Sequence, residues 1–460
     1  MNRSKTGWWA PARRYSGHFF LLFAALGLTA AAEAGLTLDE AVAAAQDNDP
    51  WLQGNEFRQQ SVAAQAVAAG SLPDPMVDLG FANLPTDTFD FDQEAMTQFK
   101  VGVAQAFPRG DSRALARRRL DLLGEQFPYQ RDERRAWLEV NVASVWLQAW
   151  QARETIRLIE GDRELFEQLV DVAESSYASA LGRTRQQDLV RAQLELTRLD
   201  DRLEMLYEQL ETSRSQLGEW LRPDPAGTTG GWTPGASSLP PLAEQLPDIP
   251  LRHPGLFAEG AVVSRAEIAA LLSEHPALRG LDSRIDASRV DVELVRQKYH
   301  PEWKVNASYG YREDGPMGQE RPDFFSVGLA FDLPFFTSSR QDQQLQSAIA
   351  DSEAMRTEKM LALRKMVAGF ETQSARLQRL QQRLQLYRSR LLPQMQEQAE
   401  ASLSAYTRDD GDFAEVVRAR IAELNARIEV LDIDIRRLQT ITQLNYYFAT
   451  DSTAAPGDLP

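Results

Sequence analysis

Apolar residues recur along two stretches of the chain in steps that suit only a helix. Leu189, Ala192, Leu196, Leu199, Leu203, Leu206, Leu210 and Leu217 are spaced 3, 4, 3, 4, 3, 4 and 7, and Val417, Ile421, Leu424, Ile428, Leu431, Ile435 and Leu438 step 4, 3, 4, 3, 4 and 3. A seven-residue apolar repeat draws a seam down one side of an α-helix, so both stretches are predicted to pack in coiled-coil fashion. Elsewhere the period is two. Segments 77–84, 99–107, 303–311 and 324–333 alternate and read as strands. One face carries Val77, Leu79, Phe81, Phe99, Val101, Val103, Trp303, Val305, Tyr309, Tyr311, Phe325, Val327, Leu329, Phe331 and Leu333; the other carries Asp78, Gly80, Lys100, Gly102, Asn306, Ser308, Gly310, Ser326, Gly328 and Asp332.

The chain repeats itself. Asp49-Pro50-Trp51-Leu52 aligns with His275-Pro276-Ala277-Leu278 at an offset of 226, and Pro75, Val101-Gly102-Val103 and Pro108 find Pro301, Val327-Gly328-Leu329 and Pro334 at the same offset. Tyr177 and Gly182 match Tyr406 and Gly411, and Val190-Arg191-Ala192 matches Val417-Arg418-Ala419. Each half therefore predicts an amphipathic helix (37–70; 264–299), two strands, a very long helix (111–180; 338–406), a polar tip and a returning helix. Each long helix would reach on the order of 100 Å at 1.5 Å per residue. Pro128 and Pro393 fall inside them and must be absorbed as kinks or breaks. Residues 222–261, rich in Pro, Gly and Ser, read as a linker or a small peripheral element between the halves.

Composition narrows the setting. The 460 residues carry a formal charge of -16 and a pI of about 4.9, which argues against nucleic acid as a partner. With no cysteine, disulfides, thiolate metal sites and a cysteine nucleophile are excluded. Arg3, Lys5, Arg13 and Arg14 precede the apolar run Phe19 to Ala32, and small residues follow at Ala30, Ala32 and Ala34. Residues 1–34 thus read as a secretory signal peptide, cleaved after Ala32 or Ala34. The run is too short for a membrane anchor, and no later stretch suits a transmembrane helix, so membrane residence would require a barrel. Four strands are too few to close one; several chains would have to share it. On that reading Val101, Val103, Tyr309, Val327 and Leu329 face lipid, and the Gly, Ser and Asp face lines water.

Taken together, Leu38-Asp39-Glu40-Ala41 with Asn48-Asp49-Pro50, the strand ends Phe107-Pro108 and Leu333-Pro334, and Tyr-x-x-x-x-Gly before each returning helix resemble the outer-membrane efflux protein family typified by TolC. The resemblance covers roughly 37–221 and 262–449, so the two repeats are drawn as 35–221 and 262–449, with 450–460 as a tail. It implies a mixed α/β membrane channel with an internal tandem repeat: a homotrimer whose long helices form an α-barrel across the periplasm, topped by a shared antiparallel β-barrel of four strands per chain. It also implies the Gram-negative outer membrane as location, and a periplasmic adaptor and an inner-membrane pump of the resistance-nodulation-division type as partners. Leu72-Pro73-Asp74-Pro75-Met76, Gly80 and Asn83-Leu84-Pro85 look similar to channels paired with heavy-metal cation pumps. Many of that branch carry a lipidated N-terminal cysteine, which this chain lacks.

Candidate chemistry is sparse. His253, His275 and His300 stand isolated and read as ordinary turn residues; no catalytic set, phosphate loop, resident metal site or cofactor motif is visible, so an enzyme is not expected. Asp409, Asp410 and Asp412 sit at the second tip and Arg183 and Arg185 at the first. Three copies of the acidic tip around an axis would form a cation-selecting ring at the periplasmic mouth, and the arginines would pair with it to hold the mouth closed. The same Asp and Gly residues also suit a plain capping turn. The competing function is a soluble periplasmic coiled-coil scaffold or adaptor, which would keep the heptads without needing alternating strands bordered by aromatics.

Overall fold

A computed structural model describes residues 35–178, 186–222, 239–257, 263–408 and 412–449. Both halves fold to the same plan. The first has α1 (Leu38–Asp47), α2 (Pro50–Gly70), β1 (Met76–Ala82), β2 (Gln98–Phe107), α3 (Ser112–Gly124), α4 (Gln126–Ala178) and α5 (Gln186–Leu221). The second has α6 (Arg265–Leu272), α7 (Pro276–Arg296), β3 (Trp303–Tyr311), β4 (Phe324–Phe331), α8 (Gln341–Leu386), α9 (Leu392–Thr407) and α10 (Phe413–Tyr446).

Where the sequence predicts one leading helix per half, the structure has two. Asn48 and Asp49 separate α1 from α2, and Ser273 to His275 separate α6 from α7. Asp49 accepts from the amide of Trp51 and His275 from that of Ala277, each followed by a proline at the first helical position, where the missing N–H costs nothing. The upstream ends are closed by reciprocal capping boxes, Thr37 with Glu40 and Ser264 with Glu267.

The long helices are likewise interrupted. α3 ends at Gly124 and α4 starts at Gln126, because Pro128 can neither donate an N–H nor tolerate the carbonyl one turn earlier in regular geometry. A π-helical turn at Tyr387–Leu391 relieves the same conflict before Pro393, which then sits in the first turn of α9.

The heptad seams are buried as predicted. Ala192, Leu199 and Leu203 of α5 pack with Ile156, Phe166 and Leu169 of α4 and with Val417, Leu424 and Ile428 of α10. Nearer the middle, Leu217, Ile435 and Leu438 join Trp146, Leu147 and Ala41. Residues 239–257 cross this region as a strap: Leu36 donates to Pro241 O (2.7 Å), Ala243 donates to Leu36 O (3.0 Å), and Trp150 and Arg153 hydrogen-bond the strap's carbonyls.

Lateral order is the same at every level. The strands run β1-β2-β3-β4, all antiparallel. Below them the neighbours are α2, α3, α7 and α8, and further down α5, α4, α10 and α8. Each layer is four elements wide, with a first-half element at one edge and a second-half element at the other.

Candidate functional site

The pairing register decides which strand residues share a face. Phe81, Phe99 and Tyr311 form one row; Leu79, Val101, Tyr309 and Phe325 the next; then Val77, Val103, Ala307 and Val327. Val305 lies beside Leu329, and Trp303 pairs with both Phe107 and Phe331. All five residues read from sequence as lipid-facing therefore lie on one continuous apolar face, and all are exposed, Val327 at 66%. Aromatic rings border it at both ends: Phe91 meets Phe81 and Tyr311 far from the helices, and Trp303 lies 4.7 Å from Phe331 near them. Trp303 and Tyr311 are separated by eight residues, roughly 27 Å along the strand and about 20 Å of height once it is tilted. That approaches the apolar band of an outer-membrane barrel, ~25 Å.

The opposite face is small and polar. Asp78, Gly102, Ser308 and Ser326 form one row, with Gly80, Lys100 and Gly310 beside it. Here glycine has a packing role that the alternation alone does not reveal. Asp78 lies across Gly102, Gln98 across Gly310 and Asn306 across Gly328, each filling the space a Cβ would need. Polar side chains are thereby laid flat along the wall. No described helix packs on either face of the sheet.

Both ends of the sheet are pinned. At the helix end Arg109 bonds Asp332 and the carbonyl of His300 (2.7 Å), while Asp332 accepts from the Glu302 amide (2.8 Å). Gly110, at φ +40, lets the Gln297 amide approach and accept from Asp111 N (3.1 Å). At the far end Arg312 and Arg321 donate to the carbonyls of Ala95 (2.9 Å) and Asp92 (3.0 Å), joining the two connecting loops. Asn83, at φ 56, closes the first loop through Met96 O (3.1 Å). The clamps between the two halves join residues far apart in the chain, so no local signal predicts them. Phe335 and Phe336, 75% and 93% exposed just past β4, add two aromatics at the lower end and lie outside the alternating pattern that marks the strand.

At the tips, Arg183, Arg185, Asp409 and Asp410 lie outside the described residues. Asp412 is described: it is the N-cap of α10 and accepts from Ala414 N at 3.1 Å. Tyr406 packs on Phe413 across this turn. Of the histidines, His275 is buried. Its Nδ1 accepts from Ala277 and its Nε2 donates to Tyr446 O (3.1 Å), so the neutral ring is the form that fits, and burial lowers its pKa to about 4. No group of three or more possible metal-binding side chains occurs among the described residues, and no described helix is long and apolar enough to cross a membrane.

Residues 268–448 match the family model described as outer membrane efflux protein. The second half of the chain is thus similar to the outer membrane efflux protein family. The match covers the second half, and the first half repeats its element order. Solved structures agree in fold. The outer membrane protein VceC of Vibrio cholerae superposes with a TM-score of 0.70 at 15% identity, over 90% of this chain and 96% of that one. The CmeC outer membrane channel of Campylobacter jejuni gives 0.70 at 12%, over 90% and 85%, and the open-state MtrE outer membrane channel of Neisseria gonorrhoeae 0.65 at 13%, over 90% and 89%. No curated protein sequence matches significantly. The neighbours this chain resembles in fold are outer-membrane proteins and channels.

Proposed function

We propose that three copies of this chain close into one duct, with their sheets forming a twelve-stranded barrel in the outer membrane and their helices a tunnel through the periplasm. The observation that carries the reading is the sheet itself. Four strands present an apolar face bordered by aromatics and a polar face of small residues, no described element covers either, and neither edge strand has a further neighbour among the described residues. Copies placed edge to edge supply the missing neighbours, lipid covers one face and water fills the other. A soluble scaffold has no use for such a sheet.

A passive duct needs a source of cargo and energy, so the helical end serves a periplasmic adaptor and, through it, an inner-membrane pump of the resistance-nodulation-division type. Heavy-metal cations are the cargo to which the resemblance in 72–85 points. In that segment Asn83 and its loop contacts serve the backbone turn, and cargo that is passed along requires no ligand set. Asp409, Asp410 and Asp412, with Arg183 and Arg185, form the gate and the cation-selecting ring at the periplasmic mouth.

Fractionation tests the placement. The protein should stay with outer membranes through a high-salt wash and migrate as a trimer in mild detergent. Clean release by osmotic shock as a monomer would sink the proposal.

A further inference from the structure

The polar face of the sheet carries an excess of positive charge. The four strands hold three charged residues, Asp78, Lys100 and Lys304, and the pairing register puts all three on the side with the glycines and serines. Two lysines against one aspartate leave this face positive, in a chain whose net charge is -16. Lysine is otherwise scarce, six among the 50 basic residues, so arginine is the usual cation of this chain. The arginines bordering the sheet serve structure: Arg109 clamps Asp332, and Arg312 and Arg321 hold carbonyls of the outer loops.

The two lysines are placed to stay free. Lys100 stands between Gly80 and Gly310, and Lys304 between Ala106 and Ala330, so the residues directly opposite offer neither ammonium a polar partner. Asp78, Gln98 and Asn306 lie flat across glycines, whereas nothing lies within 4 Å of the place where Gly80 would carry a Cβ, and Lys100 does not fold over it. Neither lysine has a hydrogen bond or an ion pair among the described residues. A lysine ammonium is a compact, strongly hydrated charge on a flexible stem. Left unpaired on a wall, it meets mobile solutes rather than fixing a neighbour.

We infer that Lys100 and Lys304 set the ion preference of the barrel, favouring small anions over free cations. The inference rests on the proposed ring of three copies, which repeats each lysine three times at one height, and rings of lysine attract anions. Lys100 pairs with Gly310, six residues along β3 from Lys304, so the two rings stand roughly 20 Å apart along the strand. The Asp78 ring, level with Ser308, lies between them. Twelve strands about 4.8 Å apart and tilted by about 40° enclose a backbone diameter on the order of 24 Å. At 0.1 M salt the Debye length of about 10 Å carries the field of the wall across most of that width; at 1 M, with about 3 Å, it does not. The rings therefore bias passage without closing it to cations, and a metal passes more readily within an anionic complex than bare. Their sign is opposite to that of the acidic ring proposed at the periplasmic mouth, so barrel and mouth are separable by mutation.

Reversal potentials in planar bilayers, under a potassium chloride gradient at low salt, test the lysine rings. Lys100→Gln with Lys304→Gln should raise the cation-to-anion permeability ratio of the inserted trimer by about twofold or more. Asp78→Asn should lower it, Lys100→Arg with Lys304→Arg should leave it near wild type, and the differences should fade at 1 M salt. A conducting trimer whose ratio the glutamine pair leaves unchanged overturns the lysine filter alone, whereas a wild-type trimer that does not conduct overturns the duct and the filter together. If the glutamine pair fails to insert, modification in place decides. Because the chain has no cysteine, Lys304→Cys offers thiol reagents a single target in the inserted channel. A cationic reagent should move the ratio back toward wild type and an anionic one further from it; equal effects of the two reagents contradict the filter.

Discussion

His275 shows how one residue can be legible in place but not in role. Its position before Pro276, matching Asp49 before Pro50, is legible as part of the repeat, but the pattern predicts one helix running through each position, and the structure makes both residues N-caps of a second helix. The surroundings differ for reasons the sequence hides. Asp49 is paired with Arg134 at 2.7 Å, and that guanidinium also lies over Trp137. His275 is instead enclosed against Tyr446 with no charged partner among the described residues, and burial lowers its pKa from 6.5 to about 4. The sign follows from linkage. Above pH 6.5 the ring is neutral in both states and has no effect on pH dependence. Between 6.5 and 4 the unfolded chain takes up the proton first, so stability falls with pH, by at most about 3 kcal/mol. Thermal unfolding at pH 7 and pH 5 should show a larger loss for the wild type than for His275→Asn, which keeps a capping side chain. Equal losses would remove His275 from the acid sensitivity of the fold.

Among the elements, strands and returning helices were the most legible. Strand ends fall within two residues of the predicted ones, because period two and the flanking turn residues agree. The helix breaks near Pro128 and Pro393 were foreseeable as breaks; the separate α3 and the π-helical turn were not, since proline signals a conflict without specifying its resolution. Strand parity makes a direct prediction. Val327 and Ser326 are adjacent in β4 and face opposite sides. Val327→Arg should impair assembly, as charge on the lipid side costs roughly 2 to 4 kcal/mol at the bilayer midplane, whereas Ser326→Arg should assemble and narrow the pore. Equal loss of trimer would show that β4 does not separate lipid from water.

The whole molecule is an open sector, four elements wide from sheet to helices. Its repeat was legible at a constant offset, and its incompleteness follows from counting strands; the equivalence of its edges at every level needed coordinates. Two consequences belong to this scale. If the tips form the closed mouth, replacing Asp409 and Asp410 with Asn should leave the trimer intact, raise single-channel conductance and reduce cation preference. The change should shrink at 1 M salt, where the Debye length is about 3 Å; unchanged conductance and selectivity at low salt would return both residues to the role of a solvated turn. The more basic question is whether the assembled chain conducts at all. Planar-bilayer recording of the purified wild-type trimer tests this directly: insertion should produce discrete, uniform conductance steps carried by a water-filled path. A stable, membrane-inserted trimer that passes no ions under any applied voltage would contradict the account of this chain as an outer-membrane duct.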